Sequence, residues 1–294
     1  EEDAAERPLM SVIVTVRNDR EGLEELLPAL AAQKTPPDEV VIVDGGSVDE
    51  TLEVAQRFRS SRFPVRVERE PGANIAAGRN AAVRLARNEW IACTDAGCRP
   101  EPGWLTALSE AAAEADIVAG VFVSEGDTPL QRILGVTHYP MASEIDGANP
   151  LVRLSHALFG RRFLAHHAGG RSMAFSRRVW QAVGGFPEHQ YAGEDLAFAA
   201  AVLDHGYRAR LAPEATVHWC PPATWRANAL MFFRYCRGDV RSKGRSRHVA
   251  RTVAWITTPF VFVHACRRGQ LAICLCGFAY IALPFERARR SHRG

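Results

Sequence analysis

Asn88-Glu-Trp-Ile-Ala-Cys-Thr-Asp95-Ala-Gly-Cys98 is an apolar run that ends on an acid and passes at once into small residues. A buried strand delivering a carboxylate to the edge of a sheet has this pattern. Glu39-Val-Val-Ile-Val-Asp44-Gly-Gly-Ser47 ends in the same way. In open α/β sheets, ligands bind in the crevice outside the carboxyl ends of the strands. Two acids at two such ends point to one polyvalent ligand held between them.

Working outward, the β-branched run at 11–16 reads as a first strand, and Leu23, Leu26, Leu27 and Leu30 fall at helical spacing. Further strands are expected at 40–43, 65–67, 90–93 and 117–122, with helices at 50–58, 74–86 and 104–115. This βαβαβαβαβ alternation predicts an α/β fold with a mostly parallel central sheet flanked by helices. Residues 124–168 show no clean alternation and are expected to form a functional loop or lid. Order returns with a strand at 172–175 and helices at 178–183 and from Glu194. Two short strands at 208–211 and 216–219 and a helix over 224–239 complete the pattern.

The chain has 294 residues, 47% of them hydrophobic and 23% charged, the balance of a globular protein. A net charge of +3 gives no electrostatic basis for nucleic-acid binding. Seven scattered cysteines form no disulfide framework and fit a reducing, cytosolic setting. The acidic start carries no basic segment followed by an apolar core, so no secretory signal is expected. The uncharged stretches 252–265 and 270–285 are bracketed by arginines. Each is shorter than the roughly 20 residues of a straight membrane-spanning helix. Surface-lying or re-entrant helices, two short spans, or a soluble hairpin all accommodate them, and the basic flanks favour an anionic leaflet.

Ser11–Asn18, Val43-Asp44-Gly-Gly-Ser47-Val-Asp49, Gly78-Arg79-Asn80, Thr94-Asp95-Ala-Gly-Cys98, Gly184-Gly185-Phe186 and Gly193-Glu194-Asp195-Leu196 together resemble glycosyltransferase family 2. The resemblance covers residues 10–220, with the motifs in the family's order and roughly its spacing. It implies a GT-A-type catalytic domain over 10–223; composition adds a solvated, tag-like tail at 1–9 and a helical, basic and apolar, membrane-associating segment at 224–294. The implied activity is inverting transfer of a sugar from a UDP- or GDP-type nucleotide-sugar donor to a hydroxyl acceptor. With the basic, apolar tail, a lipid-linked or envelope glycan acceptor is expected, at the cytoplasmic side of the cell membrane. A nucleotidyltransferase on a similar sheet and a degenerate, non-catalytic sugar- or nucleotide-binding protein are the rival readings.

The same resemblance assigns roles. Asp44 binds the nucleoside, or else caps its own turn, and Thr15 and Arg17 line the same pocket. Arg79 reaches the diphosphate or sugar, unless it lies on a solvated helix face. Asp95 meets the donor or a divalent cation. The family's Asp-x-Asp reads Asp95-Ala96-Gly97 here, so the second acid is missing. Mg²⁺ or Mn²⁺ is the expected cofactor, with His218 as a late ligand or as a partly buried histidine bonded to backbone. Asp195 is the expected catalytic base and Glu194 its positioning neighbour, at a helix N-terminus that favours ionised acids. Gly170, Arg171 and Gly185 are expected near the acceptor. Trp180 and Phe186 either stack on a sugar or pack in the core. Arg234, Arg237 and Arg241 share one helical face, facing lipid phosphates or the diphosphate.

Overall fold

A computed structural model describes residues 7–58, 60, 62–139, 163–190 and 192–241, with the backbone alone described at 136–138 and 236–241. The apolar stretches at 252–265 and 270–285, and the greater part of the expected loop at 124–168, lie outside the described residues. The chain forms two compact units, Glu1–Val123 with Phe163–Cys220 and Ser124–Arg162 with Pro221–Gly294.

The first unit is an eight-stranded sheet flanked by helices, in the order β3-β2-β1-β4-β7-β6-β8-β5. Its strands are β1 (Met10–Val16), β2 (Glu39–Asp44), β3 (Val65–Arg69), β4 (Trp90–Asp95), β5 (Cys98–Pro100), β6 (Ile117–Ser124), β7 (Met173–Ser176) and β8 (Ala209–Trp219). The helices in this unit are α1 (Arg20–Ala31), α2 (Thr51–Arg57), α3 (Ile75–Leu85), α4 (Trp104–Ala112), α6 (Arg177–Ala182) and α7 (Glu194–Asp204). α5 (Pro129–His138) and α8 (Trp225–Arg241) belong to the second unit.

Alternation along the strands explains why both sheet faces are covered. Val12, Val14, Val40 and Ile42 pack with the leucines of α1 and with Trp104, Leu105 and Leu108 of α4. Their neighbours Ile13, Val41 and Val43 meet Ala76, Ala82 and Val83 of α3 and the rings of Phe175, Phe186 and Phe198. Burial on both faces is why these strands read as continuous apolar runs.

Register places the acids. Val16 lies opposite Asp44 on β2, and Thr15 opposite Asp95 on β4, all in parallel pairings. Asp44 and Asp95 therefore emerge at the same carboxyl edge, on the two strands flanking β1. Parallel pairing ends there: β7 runs antiparallel to both β4 and β6, and β5 antiparallel to β8.

Three details differ from the sequence expectation. The two short closing strands are one continuous strand, β8. β5, immediately after Asp95, is an additional strand formed by pairing with β8. The expected loop after residue 124 opens with α5, whose N-cap Thr128 and Gln131 form a reciprocal capping box ahead of Pro129.

Candidate active site

The loops at the carboxyl edge are tied to one another. Asn18 donates its backbone N–H to Ser47 Oγ at 2.8 Å, and its Oδ1 accepts from Val48 N–H at 2.9 Å. Asp19 N–H donates to Thr51 Oγ1 at 3.0 Å. The β1 and β2 loops thus form one cross-braced edge, along which Thr15 is half-buried and Arg17 exposed.

Asp44 is fully buried, with 0% exposure. Its carboxylate accepts from Gly46 N–H at 3.2 Å, Ser47 N–H at 3.1 Å and Ser47 Oγ at 2.5 Å. In this geometry it caps the turn after β2.

Arg79 departs most from expectation. It is neither on a solvated face nor free to reach a donor, for only 1% of it is exposed. Nη2 donates to Asp95 Oδ1 at 2.8 Å and Nη1 to Glu194 Oε1 at 2.5 Å. One guanidinium therefore joins the acid at the end of β4 to the first acid of α7. Asp95 stays 30% exposed, and Arg79 engages only one of its oxygens.

α7 begins after Gly193, whose φ of 74° lies in the left-handed region that favours glycine. Glu194 is 4% exposed, and burial first, then the adjacent Asp195, pushes its carboxyl up to about 7 against the pull of Arg79. Asp195 is only partly buried. Its Oδ2 accepts from Gly170 N–H and its Oδ1 from Leu196 N–H, both at 2.8 Å.

Of the residues expected near an acceptor, Phe186 is a core residue. It is 2% exposed and its ring lies 4.4 Å from that of Phe198. Asn80 holds that turn, accepting from Phe186 N–H at 2.8 Å and from Trp180 Nε1 at 2.9 Å. A Cβ on Gly185 would fall 2.8 Å from Asn80 Oδ1, so Gly185 permits this packing. Arg171 lies over the Trp219 ring, 4.0 Å from its centroid, and 5.0 Å from that of Phe122.

The expected metal site is sparse. Among the described residues no three histidines, cysteines or acids are grouped to hold an ion. His218 Nε2 meets Glu101 Oε1 at 3.0 Å, so His218 belongs to that pair and to no ligand cluster among these residues. At Gly97, where the family's second acid would stand, a Cβ would lie 3.6 Å from Asp19 Oδ2. Burial pushes the Asp19 carboxyl up, and Asp95 is among the charges adding to the shift. Asp95 and Asp19 are hard oxygen donors, and Mg²⁺ is commonly held by one or two carboxylates plus substrate phosphates. The donor set suits such an ion in company with a diphosphate.

Sequence reasoning assigned no role to Asp19, Asn80 or Glu101. Asp19 had a visible signal, an Asp three residues before Gly22 at a helix start, where it accepts from Gly22 N–H. Arg234 is exposed on α8, while the side chains of Arg237 and Arg241 lie outside the described residues.

The family model described as Glycosyl transferase family 2 matches residues 11–183, which contain β1 to β7 and both strand-end acids. The chain belongs to glycosyl transferase family 2. A second model, Glycosyl transferase family group 2, matches residues 150–286 of this family 2 glycosyltransferase. Glycosyltransferase AglE of Haloferax volcanii is 27% identical over 268 residues, 86% of this chain and 82% of the relative. The pre-mycofactocin glycosyltransferase of Mycobacterium tuberculosis is 25% identical over 71% of this chain, which spans 42% of that protein. The fold is shared with a mannosyltransferase of Pyrobaculum calidifontis, solved with GDP-Man and Mn²⁺, at a TM-score of 0.67 and 20% identity. That match covers 97% of this chain and 85% of the other. The chain is thus a glycosyltransferase of GT-A fold using a nucleotide-sugar donor and a hydroxyl acceptor, which sets aside the nucleotidyltransferase and non-catalytic readings.

Proposed function

We propose that this glycosyltransferase moves a hexose from a UDP- or GDP-type sugar to a hydroxyl with inversion, using Asp195 as base. The observation that carries the reading is the seating of Asp195. It is partly exposed, fixed through Gly170 N–H, and linked through Glu194 and Arg79 to Asp95 at the donor edge. Asp195 accepts the proton of the acceptor hydroxyl. The oxygen forms a bond to the anomeric carbon as the bond from that carbon to the diphosphate oxygen breaks, and the electron pair leaves with the nucleotide. Thr15, Arg17 and the turn capped by Asp44 shape the nucleoside pocket. Gly170 and Arg171 border the acceptor side.

Asp95 and Asp19 would together hold a divalent cation, Mg²⁺ or Mn²⁺. When bound, such an ion supplies positive charge to the leaving diphosphate. The mannosyltransferase of the same fold was solved with Mn²⁺ and GDP-Man, which supports this part of the reading. The basic and apolar C-terminal sequence supports a lipid-linked or envelope acceptor at the cytoplasmic membrane face. Among the described residues no helix is long and apolar enough to cross a membrane.

Turnover of UDP-glucose and GDP-mannose, with and without Mn²⁺, tests the reading. Asp195→Asn is expected to lower turnover by about 10²–10⁴-fold, the usual contribution of a general base. Undiminished turnover by that variant, or a product whose anomeric configuration is retained, would overturn it.

A further inference from the structure

Arg79 is charged, 1% exposed and bound by two carboxylates on different elements. A cation in this position pays its desolvation only if its partners are well placed, and an arginine fork satisfies two acids at once. The fork also touches a third element. A Cβ on Gly170 would lie 2.0 Å from Arg79 Nη2, so the Gly170 backbone rests against the guanidinium. That same residue donates its N–H to Asp195 Oδ2. Arg79 therefore meets β4 through Asp95, α7 through Glu194, and the loop before β7 through Gly170. The other acid nearby is Asp195, and the ring of Phe186 lies 5.7 Å from the guanidinium carbon.

We propose that Arg79 is a positioning residue: without touching donor or acceptor, it sets the Asp95 carboxylate at the donor edge against the loop that seats Asp195. This goes beyond the donor-contact role that its motif implies, and it rests on the function proposed above. A donor ligand would need an open face, and this guanidinium has almost none. A simple counter-ion to Glu194 would have no need to hold Asp95. Distance and orientation between leaving group and base decide the rate, so loss of the fork acts on kcat while donor affinity largely persists.

The experiment compares wild type, Arg79→Lys, Glu194→Gln and Arg79→Met/Glu194→Gln. The double variant removes the buried charge together with its partner and so guards against simple misfolding. UDP-glucose and GDP-mannose are the turnover probes, and UDP and GDP the calorimetric ones. Arg79→Lys is expected to lower kcat by about 100-fold, the scale of a misplacement near 1 Å. The dissociation constant for the nucleotide should stay within about three-fold, as expected when an interaction acts in the transition state and not in binding. The double variant should fall roughly ten-fold or more below Glu194→Gln alone. Any of three results would overturn the proposal: wild-type kcat in Arg79→Lys, nucleotide affinity lost with kcat kept, or a double variant equal to Glu194→Gln. The amide signal of Gly170 in ¹⁵N-labelled protein supplies a reading independent of turnover. It should move in Arg79→Lys, and an unmoved signal refutes the positioning role. Turnover of neither donor by wild type would instead count against the functional reading, with the Gly170 signal still deciding the role of Arg79.

Discussion

Gly170 donates its N–H to Asp195 Oδ2 at 2.8 Å while its α-carbon leaves no room for a side chain against Arg79. Because Arg79 is pinned by Asp95 and Glu194, it cannot swing aside as a free arginine end would. Gly170→Ala is therefore expected to cost about 1–3 kcal/mol, the range for overpacking. It should also lower turnover through the displaced Asp195. Denaturant unfolding and steady-state kinetics on one preparation check both; a variant with normal stability and rate would contradict the packing.

Glu194 gives the protein a signature in pH. Its carboxyl is held up at about 7 in the folded state against an ordinary 4.5, by burial and then by Asp195, with Arg79 opposing and Asp95 adding. Between these values the folded protein keeps a proton that the unfolded chain has released. The group's contribution is fully present below about pH 4.5 and is lost as pH rises towards 7, a change on the order of 1–3 kcal/mol. Glu194→Gln has no such proton to lose. The stability of wild type relative to this variant should fall across that window, and a flat difference would show that Glu194 ionises normally.

Asp44 is expected to matter for stability through its turn. Its side chain satisfies the N–H groups of Gly46 and Ser47 and the Ser47 hydroxyl in a site closed to solvent. Asp44→Ala leaves these donors unpaired, at about 1–3 kcal/mol for each buried group that finds no water. The unfolding midpoint should drop, and calorimetry with UDP and GDP should show weakened binding because the pocket edge loses its shape. Ser47→Ala, which removes only the hydroxyl, should give a smaller drop.

The missing second acid can be put back. Asp19 Oδ2 lies 3.6 Å from the point where a Cβ would stand on Gly97, so Gly97→Asp would bring a new carboxylate to Asp19, two residues along the chain from Asp95. Without metal the added charge should lower stability, since like charges disfavour ionisation at close range. With Mn²⁺ and GDP present, ion affinity should rise about ten-fold or more, as a further hard oxygen ligand joins the set. Calorimetric titration of Mn²⁺ reads the effect directly. Asp19→Asn should move affinity the other way, whereas His218→Ala, which removes the contact to Glu101, should leave it unchanged.

Much of the fold is legible because strands and helices advertise themselves locally. Val40–Val43 and Ile91–Cys93 are apolar without alternation because both faces of those strands are covered. The leucines of α1 repeat at helical spacing because only one side of that helix meets the sheet. α5 was legible only in its start signal, Thr128, Pro129 and Gln131, within a stretch that reads as loop. The antiparallel β7 was less so, since the direction in which Met173–Ser176 enters the sheet depends on what it pairs with.

The sequence by itself determined that Asp44 and Asp95 end parallel strands and that Glu194 and Asp195 open a helix. Periodicity and turn residues within a few positions are enough to specify such features. Tertiary structure alone decided that Asp44 turns inward to cap its own loop and that Phe186 is core. It alone made Arg79 a buried bridge, because its partner Glu194 lies 115 positions away. A charge survives burial only where folding supplies its partners, and no local pattern records which distant acids will arrive.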